Sequence, residues 1–390
     1  MTILGTQITP EDQDGRRVGR ADFIYGICLG LLVLVSRIAE RGEPYFVDGP
    51  RIIASIRAGT YVIQSPGYWA FAHLGGLFRD PAAGLAFWNI LFSTLGVPVF
   101  YLLCRERQPR QVVCAAAALA YGFVYFVWFA GEIHSSYASQ ILFPPLAILS
   151  ALRWERSGRL GWVAVWSLAS AAGFALRPSD GVFLLPLWLY LLARSRPPLK
   201  VWMIFLSIQM ACFLGWYLPT QHALAASGTP GSGSLILLSM HTVSPLFNGI
   251  NARSLANTAR VVVPTVVAFG VLLPAVFTSR STADTRLALV WLIPGLLFFL
   301  LCYIADPHYK ICICGSWVWL AVTSQVPRRA LACLLLCAVL NAAIFLAARP
   351  LRDSGTGSQL VNFYVVKYCR YGIQHQWSST LGGGRQVPGL

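Results

Sequence analysis

Asp48 is the acid whose neighbours best suit proton transfer. It follows Tyr45, Phe46 and Val47 and precedes Gly49-Pro50, and a carboxylate half-buried among such side chains makes a general base for a hydroxyl proton. The position also suits a helix cap, because an acid before a first-turn proline is a common start signal. Glu132, His134 and Tyr137 share the short stretch 131–139. Glu132 or His134 could assist that base, orient an acceptor or hold a divalent cation, and plain loop polarity accounts for them equally.

Arg177 closes a long run of apolar and small residues and precedes Pro178-Ser179-Asp180. A guanidinium at membrane depth needs an anion or a polar partner. Either the Asp180 carboxylate or the phosphate of a bound lipid would serve, the latter matched by two parallel hydrogen bonds. Lys310, beside His308 and Tyr309, is a second cation for that phosphate, or else a side chain that snorkels to the interface. Nucleotide and zinc chemistry lack their usual motifs: there is no G-x-x-x-x-G-K-[ST] loop and no H-E-x-x-H. Cys312 and Cys314 form a C-x-C without His or acid at ligand spacing, and the ten cysteines, nearly all inside apolar runs, read as reduced packing residues. No metal site is read and no cofactor is expected.

These residues need elements to hold them, and composition names the elements. Hydrophobic residues make up 56% of the 390 and charged ones 12%, about half the charged share of soluble domains. Several apolar runs reach the length that crosses a bilayer as helix. The expected fold is all-α and polytopic, and the net charge of +15 reads as positive-inside bias rather than nucleic-acid binding.

Basic clusters at Arg16/Arg17/Arg20, Arg105/Arg107/Arg110, Arg153/Arg156/Arg159, Arg194/Arg196/Lys200, Arg280/Arg286 and Arg328/Arg329, taken as cytoplasmic, predict about eleven transmembrane helices. They fall near 22–39, 82–104, 112–130, 140–152, 160–176, 182–193, 201–217, 261–277, 287–304, 311–323 and 330–347. Residues 1–21 form a cytoplasmic N-terminal segment leading into an uncleaved first helix. Residues 22–347 form the transmembrane domain and 348–390 an external tail, with external loops at 40–81, 131–139, 218–260 and 305–310. Within the first loop, the run from Pro50 to Arg57 is amphipathic and Trp69–Phe78 is an interface helix too short to span. This places Glu40, Glu43, Asp48, Glu132, Asp180 and Asp306 outside. Glu106, Glu155 and Asp284 fall inside as solvated loop charge.

The order of these features resembles the GT-C superfamily of membrane glycosyltransferases, which includes protein O-mannosyltransferases, aminoarabinose transferases and related bacterial enzymes. VDGPR with Asp48 is similar to the family's first-loop acid. QSPGYW, containing Gln64, Pro66 and Tyr68, resembles its H-P-P-G-Y turn. AGEIHSSYA with Glu132 resembles the acidic second loop, GFALRPSDGVFLLPL the helix ending in a basic residue, and DPHYK the late external turn. The resemblance implies a GT-C-like fold in a bacterial inner membrane, and the basic clusters make its N-terminus cytoplasmic. It implies a polyprenyl-phosphate-linked sugar as donor and a lipid, glycan or protein hydroxyl as acceptor. Asp48 would be the general base of an inverting transfer, with Arg177 and Lys310 on the donor phosphate. The competing readings are a transporter or flippase of lipid-linked saccharides, and an O-antigen polymerase or ligase.

Overall fold

The computed structural model describes residues 19–40, 48–61, 67–131, 134–227, 244–278, 282–302 and 310–354. Helix accounts for 87% of these residues, and no strand occurs among them. The helices are α1 (Arg20–Glu40), α2 (Asp48–Arg57), α3 (Gly67–Gly76), α4 (Pro81–Arg105), α5 (Gln111–Gly122), α6 (Tyr125–Ala130), α7 (Ser139–Ser157) and α8 (Leu160–Leu176). They continue with α9 (Pro178–Ser195), α10 (Leu199–Ser227), α11 (Pro245–Asn248), α12 (Ala252–Phe269), α13 (Leu273–Val276), α14 (Thr282–Leu301), α15 (Ile311–Val322) and α16 (Pro327–Ser354).

Among the described residues, six segments are long and apolar enough to cross a membrane: Arg20–Ala39, Pro81–Arg105, Leu199–Ala226, Asn257–Val276, Ala283–Leu301 and Pro327–Leu346. Shorter apolar helices are Gln111–Gly122, Leu160–Leu176, Phe183–Ser195 and Ile311–Val322. On α1 the side chains of Phe23, Ile24, Ile27, Leu31 and Val35 are exposed, and on α10 those of Leu199, Met203, Leu206 and Met210. Faces this apolar belong against hydrocarbon rather than water. The chain is an integral membrane protein.

Local chemistry accounts for several boundaries. Asp80 accepts from the Ala82 and Ala83 amides and Pro81 opens α4, pairing a side-chain cap with a residue that has no amide to satisfy. Gly158, at φ +65°, ends α7 in the left-handed conformation that favours glycine. Between helices, small residues permit backbone contact: a Cβ placed on Gly96 of α4 would lie 2.5 Å from the Ile141 carbonyl oxygen of α7. Such approach is the usual basis of helix association in lipid.

Two helices are interrupted. The expected single helix over 112–130 is broken at Phe123–Val124 into α5 and α6, and the one expected over 261–277 passes through a 3-10 turn at Gly270–Leu272 between α12 and α13. Tertiary groups replace the lost ladder bonds. Arg37 of α1 donates to the Gly122 carbonyl. Asn341 of α16 accepts from the Tyr125 amide at 3.3 Å and donates to the Ala268 carbonyl at 2.9 Å. A third departure is α10, which runs on through Pro219 to Ser227 where a loop from 218 was expected. There Thr220 Oγ1 donates to the Trp216 carbonyl at 2.6 Å, and the stretch beyond Pro219 is rich in Ala and Leu, which favour helix.

Ion pairs gather at one end of the bundle. Asp22 at the start of α1 accepts from Arg105 Nε at 2.7 Å and from Tyr101 at 2.6 Å. Glu106 binds Arg153 at 3.1 Å and Arg156 at 2.6 Å, Arg107 binds Asp284 at 2.8 Å, and Arg194 binds Glu155 at 2.9 Å. This corrects the expectation that Glu106, Glu155 and Asp284 are solvated loop charges. Glu106 is buried, with its side chain 4% exposed, because these acids bridge helix ends that would otherwise bring arginines together.

Candidate functional site

Among the described residues, four of those read as functional from the sequence, Tyr68, His134, Tyr137 and Arg177, follow one line of contacts at the opposite end. Beside them lies α2, an amphipathic helix that buries Ile52, Ile53 and Ile56. Asp48 is its first residue, and the Asp48 side chain lies outside the described residues. Its neighbour Gly49 abuts the second loop: a Cβ there would stand 2.9 Å from His134 Cβ and 3.2 Å from the His134 carbonyl oxygen. The residue that follows the expected first-loop acid thus packs closely on the expected second-loop segment.

α3 completes the junction. It buries Tyr68, Phe71 and Ala72, and the Tyr68 hydroxyl shares a buried 3.0 Å hydrogen bond with the hydroxyl of Ser135. His73 stacks on Tyr61 at 4.1 Å and meets Trp69 tilted at 4.0 Å, tying α3 to the end of the α2 turn. Its Nδ1 also lies 2.8 Å from the Trp69 carbonyl.

From Ser135 the site continues along a single 3-10 turn, Ser136–Ala138. Tyr137 is buried beneath Arg177, whose guanidinium carbon is 4.0 Å from the ring centroid, a cation–π distance. Arg177 is the hinge residue between α8 and α9. Three residues on, buried Asp180 accepts from Gln140 Nε2 at 2.6 Å. An acid in the first turn of α9 also suits that helix's dipole.

Lys310 stands at the start of α15 and is 2% exposed. Its Nζ donates to the Val261 carbonyl at 2.9 Å and reaches Thr265 Oγ1 at 3.4 Å. That corrects the snorkelling alternative: the ammonium points into the bundle, toward α12. Gln64, Pro66, Glu132, Asp306, His308 and Tyr309 lie outside the described residues. Among the described residues no three His, Cys, Asp or Glu side chains converge as a metal site would require.

Arg37 is a member of this end that the sequence reading passed over, because an arginine near a helix terminus looks like an interfacial anchor. It is instead 1% exposed. Its guanidinium lies 5.0 Å from the Trp128 ring and 5.7 Å from Phe123. Gly131, directly before Glu132, presses on it, since a Cβ at 131 would fall 2.7 Å from Arg37 Nε and 2.6 Å from Ser93 Oγ. The only signal in the sequence was a charge a few residues inside an apolar run.

Two concavities adjoin the site. A narrow cleft beside Asp180 is walled by Phe143, Gly173, Phe174 and Trp188. A cavity of about 350 Å³ between α8 and α10 is lined by Phe174, Met210, Phe213 and Trp216, with Gln209 as its polar member. Phe174 belongs to both, so the apolar cavity abuts the cleft that reaches Asp180.

Compared with models of protein families, the chain matches none, and no curated protein matches it.

Proposed function

We propose that this chain is a membrane glycosyltransferase of GT-C-like plan. It would move a sugar from a polyprenyl-phosphate donor to a hydroxyl acceptor at the end where α2, α3 and the 134–139 segment meet. The observation that carries the reading is the contact of Gly49 with His134. It sets the residue after Asp48 against the second-loop segment, far apart in sequence, and so supports a wall to which both contribute.

Asp48 removes the proton from the acceptor hydroxyl. The oxygen then attacks the anomeric carbon, and the phosphate departs with the electron pair of the breaking bond, inverting that centre. Negative charge grows on the leaving phosphate, and Arg177, held over Tyr137, is the cation placed to stabilise it where water is scarce. Lys310 has donors engaged by α12, so it supports the phosphate less directly. The cavity between α8 and α10 suits the isoprenoid chain, with the site end external and the arginine-rich end cytoplasmic in a bacterial inner membrane.

The test compares lipids and surface glycans, by mass spectrometry, from cells lacking the protein and complemented with wild type or Asp48→Asn. Loss of one glycosylated product, restored by wild type alone, supports the transferase; restoration by Asp48→Asn sinks the assignment. One observation favours a transporter of lipid-linked saccharides instead. Interrupted helices such as α5/α6 and α12/α13 are common at transport sites. In that case glycosylated products would persist at reduced level while lipid-linked sugar accumulates on the cytoplasmic side.

A further inference from the structure

We propose that the arginine-rich end is a binding surface for anionic phospholipid headgroups. Each acid described at this end is drawn inward and paired: Asp22 with Arg105, Glu106 with Arg153 and Arg156, Glu155 with Arg194, and Asp284 with Arg107. None of the four is exposed. Among the described residues, the cations left at the rim have no acid paired with them.

Those cations sit at successive helix junctions. Arg110 lies between α4 and α5, Arg159 between α7 and α8, Arg196 and Lys200 at the α9–α10 turn, and Arg328 with Arg329 opens α16. All are exposed. Arg20 at the start of α1 and Arg286 in the first turns of α14 extend the same rim and are exposed as well. The ion pairs and the Gln108 side-chain bond to the Val322 carbonyl show that these junctions share one end.

Charge alone would also suit a soluble polyanion, but position favours lipid. Every one of these cations is within a few residues of an apolar helix end, and no soluble domain projects from this end among the described residues. That sets them at headgroup depth, where each basic side chain near an anionic surface strengthens attachment. Seven of the eight are arginine, whose planar fork matches a phosphodiester with two parallel bonds better than an ammonium does. The inference is independent of the glycosyltransferase reading.

The full chain would be reconstituted in nanodiscs of equal phosphatidylcholine and phosphatidylglycerol, and the lipid retained on delipidation counted by native mass spectrometry. Wild type should retain phosphatidylglycerol preferentially. The variant R196Q/K200Q/R328Q/R329Q should retain it more than about tenfold less, while R196K/R328K/R329K keeps most of the preference. R51Q/R79Q, which removes two exposed cations from the other end, should behave as wild type. Should the four-charge variant fail to fold, raising potassium chloride on wild type should strip the preference by screening. Equal retention of both lipids, a loss of equal size in R51Q/R79Q, indifference to salt, or co-purified nucleic acid in place of lipid would each overturn the proposal.

Discussion

The Arg37 guanidinium donates through Nη2 to the Gly122 carbonyl at 2.6 Å, joining residues 85 positions apart. That carbonyl ends α5, where a helix leaves acceptors without ladder partners, and the contact sits in the interior beside Trp128 and Phe123. A charged donor on a terminal carbonyl also opposes the helix dipole's negative end. Arg37→Ala should therefore lower stability by about 2 kcal/mol. Thermal unfolding in detergent measures it. Arg37→Lys should recover little, because an ammonium lacks the planar stacking face, and full recovery would show that charge alone matters.

Tyr68 and Ser135 share a buried hydroxyl–hydroxyl bond, so their substitutions should not add. Tyr68→Phe and Ser135→Ala alone should each cost about 1 kcal/mol, and the double variant clearly less than the sum. Strict additivity would mean that the two hydroxyls do not interact in the membrane.

At Gly49 the constraint is steric. A methyl group would meet the His134 Cβ at 2.9 Å, closer than side-chain carbons pack. Gly49→Ala should push α2 off the 134–135 segment and abolish formation of the glycosylated product, while the melting temperature falls by only a few degrees. Unimpaired product would show that α2 and the second loop need not touch for activity.

Glu106 holds two guanidinium groups, with Arg156 partly exposed and Arg153 less so. Glu106→Gln leaves both without their counter-charge and should cost about 2 kcal/mol, below the usual range for a fully buried pair because solvent reaches Arg156. Unfolding in low and high salt should show a similar loss, since Glu106 is screened from solvent ions. A loss that vanishes in high salt would return this acid to the solvated class.

Much of the helical plan was legible because long apolar runs between arginine clusters leave few choices. The runs 160–176 and 311–323 are found as α8 and α15 almost to the residue. The joints of the chain were hidden. Nothing local to Phe123-Val124 announces a break, because the groups that make it possible, Arg37 and Asn341, arrive from distant helices. The second loop was recognisable by composition, yet its contact with Gly49 depends on how α2 and α3 fold back beside α4. Glu106, Glu155 and Asp284 were misread for a related reason: spacing along the chain does not reveal which arginine a neighbouring helix supplies. Lys310 was recognised as special, but its hydrogen bond to α12 was not legible, since that partner is some fifty positions earlier.

Asn341 has one carboxamide and uses it at both interruptions, receiving the Tyr125 amide and giving to the Ala268 carbonyl. Its Nδ2 also donates to Cys337 in its own helix at 2.8 Å, which fixes the side chain's direction. Straightening either broken helix would pull its group away from the shared amide and leave a polar atom stranded in hydrocarbon. The two bends are therefore a single mechanical joint with two arms. Replacing Asn341 with leucine would take this partner from the Tyr125 amide and the Ala268 carbonyl at once, so one substitution reaches both bends.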